Sequence, residues 1–361
     1  MNRRQHCKER EDIEMNVLSL FDGMSCGQIA LDQLGIKVEN YFAAEIDKYA
    51  IKVAQANYPD MIHLGDVRNV QTSGDHLMDD FDCGHKIDLL IGGSPCQGFS
   101  FAGKQLNFDD PRSKLFFEYV RLLKALKPKY FLLENVRMKK ESMEVITEML
   151  GVEPVAINSN LVSAQNRHRL YWTNIPMDGI PEDRGIVLSD ILEDGCTDRD
   201  KLHCIDANYF KGGNLKSYFE KHRRQLVFST DGMCHVGDAD LKGHGYNKRV
   251  YHPDGKGPSL CASSGGNLEP KILQKGRGWN KGGLKAQNGK TPTLSTSSWQ
   301  HNNHLTYDEG LTWRKLTPLE CERLQTVPEG YTAHVSNTQR YRMLGNGWTV
   351  EVIKHIMKGM A

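Results

Sequence analysis

The sequence predicts an α/β fold, a doubly wound and mostly parallel sheet accompanied by a smaller β-rich domain, and three observations lead there. Short apolar runs alternate with amphipathic helical patterns from residue 16 to about 176, the arrangement that builds βαβ units. Between about 176 and 307 that alternation stops and Gly, Ser, Thr and Lys dominate. It returns after residue 310. The expected divisions are a flexible tail at 1–15, a first domain at 16–176, a β-rich domain at 177–310, and a segment at 311–361 that folds back onto the first domain.

A formal net charge of +1 over 361 residues excludes a wholly basic coat, so any basic surface is local. No apolar run reaches the roughly 18 residues of a membrane span, and the opening MNRRQHCKEREDIEM lacks the apolar centre of a signal peptide. A soluble chain with no membrane contact is expected. The nine cysteines are odd in number, scattered and free of any C-x-x-C pair. That pattern predicts reduced thiols in a cytoplasm and no metal site.

Residues 16–21, NVLSLF, read as the first strand, running through Asp22-Gly23-Met24-Ser25-Cys26-Gly27 into a helical pattern that ends at Leu34. A glycine-bearing turn between strand and helix lets a ligand approach backbone amides. The turn departs from the G-x-G-x-x-G fingerprint, so a nicotinamide cofactor is poorly supported. The second strand, 41–44, ends in Glu45, where an acid can accept from ribose hydroxyls; an exposed acid at a helix start is the alternative. A helix over 48–57 and a strand over 61–64 lead to Gly65-Asp66-Val67, with Asp66 suited to an exocyclic amine and Val67 to an aromatic ring.

Residues 87–100, IDLLIGGSPCQGFS, read as a buried strand whose Gly-Gly-Ser-Pro turn delivers Cys96 to the carboxyl edge of the sheet. Pro95 fixes the chain just before the sulfur. Asp110-Pro111 is a helix start, and the apolar face of that helix runs to Leu126. The strand 130–133 ends in Glu134, a carboxylate that is costly after four apolar residues unless it has a partner or a task. Beyond a helix near 143–150, residues 154–164 read as a strand entering Gln165-Asn166-Arg167-His168-Arg169, whose alternation sets Gln165, Arg167 and Arg169 on one face. The segment 314–320 opens a helix bearing Cys321, Leu324 and Val327, and residues 341–344 lead to a glycine turn, Gly345-Asn346-Gly347, before a last helix at 351–357.

Between Leu241 and Leu305 ten Lys/Arg residues stand against only Asp254 and Glu269, with Tyr246, Tyr251, Trp279 and Trp299 among them. Local positive charge with interleaved aromatics fits a phosphate-bearing partner better than a plain solvated face. GKGPSLCASS at 255–264 recurs as GKTPTLSTSS at 289–298. Two copies are too few for a solenoid and read as paired turn-and-strand units.

Taken in order, FDGMSCG at 21–27, Glu45, Gly65-Asp66-Val67, GGSPCQGFS at 92–100, Glu134-Asn135-Val136, QNRHR at 165–169, RKLTPLECERLQ at 314–325 and GNGWTV at 345–350 resemble the motifs of the cytosine-5 DNA methyltransferase family. The resemblance covers roughly 16–175 and 310–360, with the motif order unpermuted, and Ser25 and Trp348 depart from the usual bacterial pattern towards the animal de novo branch. It implies a catalytic and S-adenosylmethionine-binding domain at 16–176, of Rossmann-like methyltransferase type, and a target-recognition domain at 177–310. It further implies Cys96 as the nucleophile, Glu134 at cytosine N3 and Arg169 at O2, with Gln165 and Arg167 in support. Cofactor contacts implied are Phe21, Asp22, Gly23, Ser25, Gly27, Glu45, Ile46, Asp66, Val67, Ser94, Asn346 and Trp348. Double-stranded DNA is the implied partner of a monomer in the cytoplasm of a bacterial cell or a phage-infected host; a companion restriction endonuclease stays open. Two alternatives remain open as well, an RNA cytosine-5 methyltransferase and a catalytically inactive DNA-binding homologue.

Overall fold

The computed structural model describes residues 14–79, 83–94, 114–212, 218, 224–228, 235–238, 249–251, 273–274, 283–284, 305–306 and 313–360. Cys96 and Pro95, the helix start at Asp110-Pro111, the tail at 1–13 and both copies of the repeated decapeptide lie outside them.

Seven strands form the central sheet: β1 (Met15–Leu20), β2 (Val38–Ala44), β3 (Ile62–His63), β4 (Leu89–Gly92), β5 (Tyr130–Val136), β6 (Val155–Asn158) and β7 (His168–Thr173), in the order β3-β2-β1-β4-β5-β7-β6. The pairs β2–β3, β1–β2, β1–β4 and β4–β5 are parallel, whereas β7 runs antiparallel to both β5 and β6. The fold is thus the mostly parallel α/β arrangement that the alternation predicts.

Four helices alternate with the strands, and their ends follow local chemistry. The helix α1 (Cys26–Leu34) stops where Gly35 turns left-handed at φ +68°, a conformation that costs glycine nothing. The helix α2 (Lys48–Asn57) starts where the Asp47 side chain accepts from the Tyr49 amide at 2.9 Å. The helices α3 (Lys114–Leu126) and α4 (Lys140–Leu150) lie on the opposite side of the sheet from α1 and α2. Parallel strands must be covered on both faces, and two apolar clusters do this. Leu132 and Tyr171 face the cluster that holds α1, whereas Leu133 and Trp172 face the one that holds α3.

Three expectations for local structure need correction. The strand expected over 154–164 ends at Asn158, because the Asn158 side chain accepts from the Asn160 amide and turns Ser159–Leu161 into one 3-10 turn; Asn and Ser side chains compete with ladder bonds in this way. The helix expected from Arg314 begins only at Pro318: Trp313–Lys315 is a strand paired with Leu226–Phe228, and the Thr317/Glu320 capping box starts α5 (Pro318–Leu324). The glycine turn expected at 345–347 is largely helical, since α6 (Asn337–Asn346) includes Gly345 and Asn346 and the chain turns only before α7 (Val350–Met357).

The C-terminal segment packs against the first α/β unit. Helix α7 packs on α1, Tyr331 donates to the Met24 carbonyl at 2.8 Å, and the Cys26 thiol lies 3.7 Å from the Trp348 carbonyl. Leu188, Ile191, Leu202, Ile205 and Tyr209 share that same core. Further on, His235–Asp238, Arg249–Tyr251 and Leu305–Thr306 make a small antiparallel sheet, and Leu273–Gln274 pairs with Gly283–Leu284.

Gly345 packs closely against the backbone after residue 200. A Cβ built there falls 2.3 Å from the Asp206 carbonyl carbon and 2.4 Å from the Ala207 nitrogen, both backbone atoms that cannot rotate away. Gly345→Ala is expected to lower the unfolding free energy by about 1–3 kcal/mol, read as a lower urea midpoint at unchanged slope. An unshifted midpoint would show that this joint yields freely.

Candidate active site

Strand order reverses between β1 and β4, and in such sheets ligands collect at the carboxyl edge beside the reversal. Five strand ends meet there: Phe21-Asp22 after β1, Glu45 after β2, Asp66 after β3, Gly93-Ser94 after β4, and Glu134 near the end of β5. Because β7 is antiparallel, its amino end reaches that same edge, with Arg169 opposite Val136 and Tyr171 opposite Glu134. Glu134 and Arg169 are therefore diagonal neighbours on one face, and Arg169 Nε lies 2.8 Å from Glu134 Oε1. Both side chains are largely buried.

These residues line a cavity of about 1100 Å³. On its β1–β3 side the backbone is unusual, for Phe21, Gly23 and Ser25 all take left-handed φ values, +57°, +61° and +63°. Such conformations in non-glycine residues store strain and cluster at ligand sites. Ser25 thus adopts the geometry that a glycine would, and its hydroxyl donates to the Asp22 carboxylate. Tyr41 Oη donates to the other Asp22 oxygen at 2.8 Å. Burial pushes the Asp22 carboxyl above its ordinary range, opposed by hydroxyls of Ser19, Ser25 and Tyr41. Glu45 is pinned by three backbone amides, those of Gly23 at 2.8 Å, Ile46 at 2.7 Å and Asp47 at 2.8 Å. A carboxylate offers about four acceptor positions, so one remains for a ligand hydroxyl.

Asp66 is engaged differently. Arg68 Nε donates to it at 2.9 Å and the Arg68 amide at 3.0 Å, and the guanidinium holds the Asp66 carboxyl down at about 2. Sequence reasoning missed Arg68, although an arginine two positions from the acid was there to be read. It also missed Leu115 and Glu118 of α3, which close this end of the cavity.

Of the expected site residues, Phe21, Asp22, Gly23, Glu45, Ile46, Asp66, Val67, Ser94, Glu134, Arg167, Arg169, Asn346 and Trp348 line the cavity. Ser25, Gly27 and Gln165 do not. Gly27 faces the core, where a Cβ would meet Ile91 Cδ1 at 2.2 Å. Gln165 is fully buried and donates to the Leu324 carbonyl at 2.8 Å and to Gln325 Oε1 at 2.9 Å. Arg167 spreads its guanidinium over the Gly347 carbonyl at 2.7 Å, the Gly345 carbonyl at 3.2 Å and Cys204 Sγ at 3.0 Å. The three side chains expected on one face therefore do different things. Arg169 meets Glu134, while Gln165 and Arg167 fasten the C-terminal segment.

That segment closes the cavity from the other side. Trp348 Nε1 donates to Glu134 Oε2 at 3.2 Å, a contact between residues too far apart in the chain for any sequence pattern to signal. Ser94, two positions before Cys96, accepts from Asn135 Nδ2 at 3.2 Å. Among the described cysteines, Cys26 and Cys204 line the cavity; burial pushes the Cys26 thiol up to about 12, so it stays protonated at neutral pH. Among the described residues no group of three or more His, Cys, Asp or Glu is placed to hold a metal, and no helix is long and apolar enough to cross a membrane.

Residues 15–361 match the sequence profile of C-5 cytosine-specific DNA methylases. Similar proteins include the orphan methyltransferase M.SPRI of Bacillus phage SPR, 27% identical with 96% of this chain and 97% of that protein covered. The type II methyltransferase M.HpaII of Haemophilus parainfluenzae is 27% identical, with 93% and 86% covered. Among solved structures, the Entamoeba histolytica methyltransferase EhMeth superposes with a TM-score of 0.57 at 15% identity, covering 96% of this chain and 98% of that one. Spodoptera frugiperda DNMT2 does so at 0.56 and 17%, covering 96% and 99%. At these identities the structural likeness is one of fold.

Arg167 tests the division between frame and chemistry. Arg167→Lys keeps the charge but loses the planar fork, and is expected to cost about 2–4 kcal/mol of stability through the lost charge-assisted hydrogen bonds. Unfolding in urea measures it. Full stability in a variant that has lost turnover would instead put Arg167 among the groups that handle substrate.

Proposed function

Because the chain belongs to the C-5 cytosine-specific DNA methylase family, we propose that it transfers a methyl group from S-adenosylmethionine to carbon 5 of a cytosine turned out of double-stranded DNA, through a covalent adduct at Cys96. The observation that carries this reading is the Glu134–Arg169 pair at the cavity floor, beside the end of β4 that leads into Cys96. The cavity fits the cofactor class: a close-approach turn at residues 21–25, a carboxylate at Glu45 with a free acceptor position, and room for a nucleoside together with a base. Glu45 would hold the ribose, and Phe21, Asp22 and Gly23 the methionine part. Asp66 and Val67 would hold the adenine, which requires Arg68 to share or release the Asp66 carboxylate. When bound, the cofactor supplies an electrophilic methyl group.

The chain's own residues supply the rest. Carbon 5 of cytosine is a weak nucleophile, and addition of the Cys96 thiolate at carbon 6 turns the ring into an enamine whose carbon 5 can attack. Addition draws charge to N3, where the Glu134 carboxyl holds a proton, while the Arg169 guanidinium holds O2. With the methyl on carbon 5 and S-adenosylhomocysteine as the leaving product, the carbon-5 proton passes to water, the carbon 6–sulfur bond breaks to restore the Cys96 thiolate, and the N3 proton returns to Glu134. A stacked base hides carbon 6, so the target is flipped out at a cost of a few kcal/mol.

Target choice is assigned to residues 177–310. Its first part already borders the cavity, through His203, Asp206, Arg224 and Gln225, which supports a recognition lobe facing the catalytic edge. Lys256 and Lys290, outside the described residues, are assigned to phosphates, and the segments 263–267 and 297–303 to base edges.

Cys96→Ala should abolish turnover while leaving cofactor binding intact, and Glu134→Gln should lower turnover about 10²-fold or more. DNA carrying 5-fluorocytosine should trap an adduct on the Cys96 peptide. An adduct on Cys204, which lines the cavity beside Arg167, would overturn the assignment.

Neutralising Lys256 or Lys290 should weaken binding to all sequences alike and flatten its salt dependence. Replacing 177–310 by the corresponding part of a relative with another target should move the methylated cytosines, mapped by bisulfite sequencing. An active chimera that still marks the original site places sequence reading in the catalytic domain instead.

A further inference from the structure

We propose that Trp348 is a positioning residue for the reaction, its indole N–H fixing the plane of the Glu134 carboxyl against the base; this rests on the methyl-transfer reading above. A carboxyl group turns about a terminal torsion that is broad and nearly two-fold, so Arg169 on Oε1 alone would leave its plane loosely set. The indole supplies a second donor on the other oxygen, at 3.2 Å from Oε2. Glu134 is thereby held at both oxygens, by β7 on one side and by the turn into α7 on the other.

The indole is itself aimed by the backbone around it. The Gly347 carbonyl accepts from Arg167 Nη2 at 2.7 Å and from Gln325 Nε2 at 3.2 Å. Thr349 Oγ1 donates to Gln325 Oε1 at 2.9 Å, and the Val350 amide to the Gln325 carbonyl at 2.9 Å. The chain is thus fastened on both sides of residue 348. Gly93 supplies the remaining condition: a Cβ there would stand 3.0 Å from Trp348 Nε1 and 3.1 Å from Glu134 Oε2. A methyl group at residue 93 would crowd both atoms at once, so the indole or the carboxyl would have to give by a few tenths of an ångström. Groups whose neighbours lock their rotamers in this way are the ones that hold catalytic geometry.

Trp348→Phe keeps the ring and removes the N–H. At saturating S-adenosylmethionine its kcat should fall about tenfold, with the Kd for S-adenosylhomocysteine changed by no more than about twofold. In a Glu134→Ala background, followed by single-turnover transfer of tritiated methyl, the same substitution should cost nothing further, because residues acting as one unit are not additive. Wild-type kcat, a deficit that vanishes at saturating cofactor, or an equal loss in the Glu134→Ala background would each overturn the proposal, the second making Trp348 a cofactor contact. If Trp348→Phe melts early by circular dichroism, Gly93→Ala gives the same reading by wedging donor and acceptor apart, and undiminished kcat there overturns the proposal too. The methyl-transfer reading fails separately, if Cys96→Ala or Glu134→Ala itself turns over at the wild-type rate.

Discussion

The antiparallel pairing of β7 with β5 is the constraint on which the Glu134–Arg169 pair rests. A purely parallel sheet would send the amino end of every strand to the far edge, away from the ligand-bearing loops. Reversing one strand brings Arg167 and Arg169 to the edge where β1, β2, β3, β4 and β5 end. The register then decides which arginine meets Glu134. Tyr171 stands opposite the acid and Arg169 is its diagonal neighbour, so a slip of one residue would turn the guanidinium to the other face of the sheet.

Buried polar groups fasten the C-terminal segment within itself and to that edge. Gln325 receives from Gln165 and Thr349 and donates to the Leu344 and Gly347 carbonyls. Glu322 takes the Gly330 and Thr332 amides and the Arg340 guanidinium within a fully buried site. Removing one member of such a network leaves the others unsatisfied in a medium that punishes it. This accounts for Glu320, Glu322 and Gln325 being as fully buried as their apolar neighbours Cys321 and Leu324.

The sheet was legible because alternation of apolar strands with helical periods is a local signal, and α2 follows its pattern to the residue. Strand-end acids were legible for the same reason, since Glu45, Asp66 and Glu134 each close an apolar run. Partners were not. That Arg68 takes Asp66, that Arg167 serves the frame, and that Trp348 meets Glu134 depend on which elements the fold brings together. The division among Gln165, Arg167 and Arg169 was hidden by one further detail: Gln165–Asn166 pairs with Leu202–His203 outside the main sheet, and only His168–Thr173 joins it. A strand that changes sheets carries the same alternation as one that does not.

The closure of α7 upon α1 has a kinetic side. Cys26 and Trp348, in contact beneath the cavity, are 322 positions apart. Loop-closure entropy grows only with the logarithm of the loop, so this separation costs the finished protein little more than a far shorter one would. Folding speed is another matter, since folds dominated by contacts of long sequence separation fold slowly. The sheet and its arginines lie within the first half of the sequence, and the wall that carries Trp348 within its last elements. Glu134 and Arg169 are thus supplied by the first half of the sequence, whereas the wall that meets Glu134 through Trp348 comes from its end, and the two are joined across the span of nearly the whole protein.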